Sequence, residues 1–112
     1  MPTKAKVLER DVQRICMEYL TLKGWTAFRT NNGAIYNSRT RGWQHFNGRK
    51  GFPDIVAFKA LKPVMFIECK SNVGVPTKEQ KETIELINKT LSVGFVVHSL
   101  DELIWQMDKF IN

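Results

Sequence analysis

The stretch GFPDIVAFKALKPVMFIECK, residues 51 to 70, constrains the fold more than any other. Two apolar runs, 54–59 and 64–70, flank a turn containing Lys62 and Pro63, a pattern that predicts a β-hairpin. Strand side chains alternate between faces, and here both faces of both strands are mostly apolar. Such strands belong in the middle of a sheet, covered on both sides. Yet the first run opens on Asp54 and the second ends with Glu68 and Lys70. Alternation places Glu68 and Lys70 on one face. Asp54 joins them if directly opposed residue numbers sum to an even value, and a shift of one residue sends it to the other face. Burying ions costs several kcal/mol each unless they are paired or bound to metal, and adjacent carboxylates repel. A divalent hard cation such as Mg²⁺ relieves both costs, typically holding one or two carboxylates together with water and phosphate oxygens. Lys70 points to the same side, where it can act on water or on charge building at a phosphate.

The remaining elements frame this hairpin. Leu8, Val12, Ile15, Cys16, Tyr19 and Leu20 recur at helical spacing and predict a helix over 6–22, closed by Gly24. WTAFRT, 25–30, reads as a strand. Residues 31–51 are rich in Asn, Gly and Arg and long for a plain connection, so they are expected to be functional or partly ordered as short strands. A helix is expected over 77–91, with Thr77 and Gln80 as a capping box after Pro76. Residues 93–99 read as a strand, and Ser99 with Glu102 forms a second expected capping box before a closing helix. The order α-β-(loop)-β-β-α-β-α predicts an α/β fold, a small mixed sheet flanked by helices.

With 112 residues the chain is expected to form one domain spanning 1–112. Hydrophobic residues at 43% and charged residues at 25% are those of a soluble globular protein. No apolar stretch approaches a membrane span, and MPTKAKVLERD lacks the apolar centre of a leader, so the expected setting is intracellular and cytoplasmic, with Cys16 and Cys69 reduced. The net charge is +6, and its distribution says more than its size. No acidic residue lies between Glu18 and Asp54, while Lys23, Arg29, Arg39, Arg41, Arg49 and Lys50 do. A polyanion is the natural partner of such a block.

Pro53-Asp54 followed after thirteen residues by Glu68-Cys69-Lys70 resembles the PD-(D/E)XK nuclease signature. The surrounding RKGFPD and FIECK, the T-x-x-Q at Thr77 to Gln80, and Glu9 on the first helix narrow the likeness to stand-alone VRR-NUC domains of phages and bacteria. The resemblance spans essentially the whole chain. It implies a restriction-endonuclease-like core and a Mg²⁺-dependent (or Mn²⁺-dependent) DNA endonuclease. Like Holliday-junction resolvases, it would act on branched DNA as a homodimer, without a small-molecule cofactor. It implies Asp54 and Glu68 as catalytic metal ligands, the Cys69 carbonyl as a further ligand and Lys70 as the catalytic lysine. Glu9 would complete or support the metal site, and Gln80 would position water or Lys70. Alternatives in the same chain are a non-catalytic binder of branched DNA, or a nuclease for flaps, linear duplex or RNA.

Duller readings stand beside these. Asp54 can start a turn after Pro53, and Glu68 with Lys70 can form an ion pair at a sheet edge. Glu9 can answer the helix dipole, and Gln80 can simply cap its helix. Asn31, Asn32, Arg39, Arg41, Arg49 and Lys50 are the candidate phosphate contacts. Tyr36, Trp43 and Phe46 either stack on unpaired bases or pack the loop or a dimer interface. His45 and His98 show no metal-ligand spacing, and without a C-x-x-C the pattern does not suggest zinc.

Overall fold

The structure is a computed structural model that describes residues 6–30, 34–39, 41–45 and 50–112, with the backbone alone for 34–37 and 42–45. In chain order the elements are α1 (Glu9–Leu22), β1 (Thr26–Arg29), β2 (Ala34–Asn37), β3 (Gly42–His45), β4 (Ile55–Phe58), β5 (Met65–Cys69), α2 (Lys78–Asn88), β6 (Val93–Val97) and α3 (Leu100–Phe110). Strands β1, β4, β5 and β6 form one mixed sheet in that order. The β1–β4 and β4–β5 pairs are antiparallel, and β5–β6 is parallel. A parallel neighbour needs a crossover, and α2 supplies it. The segment expected to be loop or short strands contains a separate two-stranded ladder, β2 with β3, in which Tyr36 and Trp43 are cross-strand partners.

The odd-numbered strand residues build the core. Ile55, Ala57, Met65, Ile67, Cys69, Phe95 and Val97 are buried with Val12, Cys16 and Leu20 of α1 and with Leu103 and Met107 of α3. On the opposite face α2 covers β5 and β6. A Cβ at Gly94 would lie 3.2 Å from Ile87 Cγ2, so the bare glycine backbone admits the helix. Beyond α2 the even face is open. Val56 is half-buried, and Phe28 and Phe58 are 53% and 45% exposed. The expectation that both hairpin strands are covered on both sides therefore holds for β5 and fails for β4, because α2 follows the parallel pair and reaches no further.

Local chemistry explains where the elements stop. Residues 6–8 do not join α1, because the chain there is tied sideways: Val7 donates its N–H to Asn72 Oδ1 at 2.9 Å, and Asn72 N–H returns to the Val7 carbonyl at 3.4 Å. At the other end Gly24 takes φ +85°, its N–H reaching Thr21 O while Trp25 N–H reaches Leu20 O, which closes the helix as expected. The Thr77–Gln80 capping box is complete: Gln80 N–H donates to Thr77 Oγ1 and Thr77 N–H to Gln80 Oε1. Only half of the second expected box is present. Ser99 caps Glu102 N–H, but the Glu102 carboxylate turns to the His98 N–H and ring instead. The β4–β5 turn carries the exposed Leu61 at φ +64°, an uncommon conformation for a branched side chain. Among the described residues, no helix is long and apolar enough to cross a membrane.

Candidate metal centre

The β4–β5 ladder pairs Ile55 with Ile67, Val56 with Phe66 and Ala57 with Met65. This is the even-sum register, so continuing it one step sets Asp54 opposite Glu68 on the same face. The paired ladder ends at Ile55, while β5 continues to Cys69. There the Cys69 N–H is taken by Asp54 Oδ2 at 2.9 Å. The carboxylate thus does the work of a strand carbonyl at the frayed end of the hairpin. The Asp54 backbone is fixed from the other side by Thr30, whose N–H donates to the Asp54 carbonyl at 2.8 Å and whose hydroxyl bonds to the Pro53 carbonyl.

Glu68 lies deeper, with the residue only 1% exposed. Among the described residues neither of its carboxylate oxygens meets a hydrogen-bond donor. The Lys70 ammonium is 3.7 Å from Glu68 Oε2, close enough to pair by charge, and the Lys70 side chain is itself largely buried. Glu9 opens α1 and is brought alongside by the Val7–Asn72 tie just before it. One carboxylate oxygen from each of Glu9, Asp54 and Glu68 lies within 4.8 Å of the other two. Three acids thus face one lysine.

The electrostatic consequence is a cluster reluctant to ionise fully. The Glu68 carboxyl is pushed up to about 9, first by burial, then by Asp54 pressed beside it and by Glu9, with Lys70 opposing. Glu9 is also raised, by burial and then by the Asp54 charge, against the lowering effect of Lys70. A buried carboxylate without a donor needs a proton or a cation. Convergent carboxylate oxygens are the donor set of a hard divalent ion rather than of zinc or copper. The cluster of Glu9, Asp54 and Glu68 could hold a metal ion.

The other sequence candidates are placed as follows. Gln80 stands at the third position of α2, and its carboxamide oxygen is engaged in the cap. Arg39 and Arg41 are exposed, Arg41 at φ +54°. Lys50 is exposed and lies 3.7 Å from Glu79. Asn31, Asn32, Arg49 and Phe46 lie outside the described residues, as do the side chains of Tyr36, Trp43 and His45. His98 is held by the strand-to-helix junction, Nδ1 to Glu102 at 2.8 Å and Nε2 to the Gly74 carbonyl at 2.9 Å. Cys16 and Cys69 are free thiols buried in the core.

Three residues that position the cluster escape a reading by motif. Thr30 ends the WTAFRT strand and Asn72 lies in a turn, and nothing in either local pattern announces a partner 23 or 65 residues away. Gly51 offers a signal only in its residue type. It adopts φ +86°, and a Cβ there would lie 2.7 Å from the Glu79 carbonyl carbon, so glycine alone lets the entry to Pro53-Asp54 pass under the start of α2. Comparison with family models, with curated proteins and with solved structures finds no match to this chain.

Proposed function

We propose that this chain is a divalent-metal-dependent endonuclease of the PD-(D/E)XK type, similar to stand-alone VRR-NUC domains and acting on branched DNA. The observation that carries the reading is Glu68: a carboxyl group at 1% exposure whose oxygens meet no donor among the described residues, beside two further acids and one lysine. A purely structural acid at that depth would be expected to have found hydrogen-bond donors. The mixed sheet, with a parallel last pair joined by a crossover helix, supports the same reading.

In this proposal Asp54 and Glu68 hold Mg²⁺ or Mn²⁺, with Glu9 completing or supporting the site and the Cys69 carbonyl as a further ligand. When bound, the ion supplies Lewis-acid polarisation of a phosphoryl oxygen and a more acidic water. The chain's own contributions are positional and electrostatic. Asp54 is held from two sides, its carboxylate by Cys69 N–H and its backbone by the Thr30 clamp, so the side chain is fixed in place beside Glu68. Lys70 keeps an ammonium at the cluster, where it stabilises negative charge growing on a phosphate under attack. Its backbone is fixed too, by the bond from Lys70 N–H to the Val97 carbonyl at 2.9 Å. Gln80 serves the α2 cap in this structure, and its proposed role beside Lys70 rests on the family resemblance.

The basic stretch from Lys23 to Lys50 supplies the phosphate contacts, and two copies related by a two-fold axis suit a four-way junction. Nicking of a labelled four-way junction in Mg²⁺, in EDTA, and with Asp54→Ala or Lys70→Ala tests the assignment. Cleavage that needs the metal and is lost in both variants is the expected result. Unimpaired cutting by either variant refutes it, and junction binding without cutting in any divalent metal identifies a non-catalytic binder. A panel of matched duplex, flap, fork and RNA substrates fixes the preferred target.

A further inference from the structure

The open half of the even sheet face is aromatic and adjoins the acid cluster. Phe28 on β1 and Phe58 on β4 lie diagonally across the β1–β4 ladder, with ring centroids 5.9 Å apart and planes tilted by 34°. Behind them Phe66 of β5 is half-buried and meets Phe52 edge-on. Phe28 opposes Val56, two residues along β4 from Asp54. Sheet geometry then sets the Phe28 and Asp54 Cα atoms about 8 Å apart, roughly the reach of one nucleotide.

We propose that Phe28 and Phe58 form a stacking platform for an unpaired base next to the phosphate handled by the acid cluster, so that the substrate carries a single-stranded segment beside the cut. The proposal rests on the nuclease reading for its placement of the phosphate. Two features favour a nucleic-acid strand over a protein. A phenyl face left in water beside an ionic site suits the π-face of any base. Two half-exposed rings also fall far short of the roughly 800 Å² per partner of a stable protein interface.

The test uses the full chain in EDTA, so that binding is read without cutting. The probes are a blunt duplex and the same duplex with a thymidine tail carrying 2-aminopurine. Wild type should bind the tailed probe more tightly and change the fluorophore's emission as it stacks. Phe28→Leu/Phe58→Leu keeps the apolar bulk and should weaken tailed-probe binding roughly 5- to 100-fold while leaving blunt-duplex binding unchanged. Phe28→Tyr/Phe58→Tyr should restore both the affinity and the emission change. Equal binding of the tailed probe by wild type and the leucine variant overturns the platform. So does an equal loss on both probes, or a leucine variant whose sedimentation shows that a dimer has become a monomer, which would make the patch an interface between copies. The two readings separate cleanly. Full cutting by Asp54→Ala removes the nuclease site whatever the tail does. Asp54-dependent cutting with no effect of the leucines removes only the platform.

Discussion

Glu68 holds a proton in the folded, metal-free protein that it releases on unfolding, since its carboxyl is pushed up to about 9 against an ordinary value of 4.5. Between those values the native state binds more protons than the unfolded state, so stability falls as pH climbs from about 4.5 towards 9 and levels off above. Urea unfolding in EDTA across that range should show the decline, with Glu9, also raised, acting in the same direction. Glu68→Gln should flatten the profile and stabilise the metal-free protein at neutral pH by about 1–3 kcal/mol, while abolishing cleavage. Asp54 behaves differently, because its carboxylate also serves the backbone. Asp54→Ala leaves the buried Cys69 N–H without its acceptor and should cost roughly 1–3 kcal/mol. Asp54→Asn keeps an acceptor oxygen and should retain most stability while losing metal affinity, which calorimetric titration with Mn²⁺ would read. The three charges were legible in the sequence because nothing else polar interrupts those strands. Glu9's place beside them followed from the family resemblance and not from local pattern, since the Val7–Asn72 tie that brings α1 there spans 65 residues.

At the scale of elements, periodicity and caps located the four sheet strands and three helices, and the ends moved where a local bond intervened. The Thr77–Gln80 box follows from residue types three apart. The Ser99–Glu102 box is incomplete because His98 competes for the same carboxylate, a contest that spacing alone does not express. Gln80→Glu keeps the cap acceptor, and Gln80→Ala removes it at a cost of about 1 kcal/mol. If Gln80 serves only as a cap, cleavage by the glutamate variant stays near wild type. Gly51→Ala forces a side chain into the left-handed region and against the Glu79 backbone. It should destabilise the chain by roughly 2–3 kcal/mol and lower metal affinity by displacing Pro53-Asp54. Asn72→Ala should weaken metal binding with a smaller loss of stability, by freeing the start of α1. The open aromatic face of β4 was hidden for a related reason: an apolar run gives no sign of whether a neighbour arrives to cover it.

For the molecule as a whole, the balance of charge sets two expectations. Mg²⁺ at a hundred times its dissociation constant should stabilise the fold by about 2.7 kcal/mol, seen as a rise in melting temperature that Glu68→Gln abolishes. DNA affinity should fall steeply with salt, with a slope that lessens when Arg39 and Arg41 are replaced by alanine. Sedimentation at micromolar concentration tests the proposed dimer, and a monomer there opposes paired cutting. The turn at Leu61 has a practical bearing on all of these experiments. It caps the end of the β4–β5 hairpin remote from Asp54 and Glu68, and its side chain meets only solvent. Glycine in its place would ease the backbone there, and a cysteine would offer a thiol for a dye or a surface tether, leaving the far end of the hairpin free to engage a long, bulky polymer.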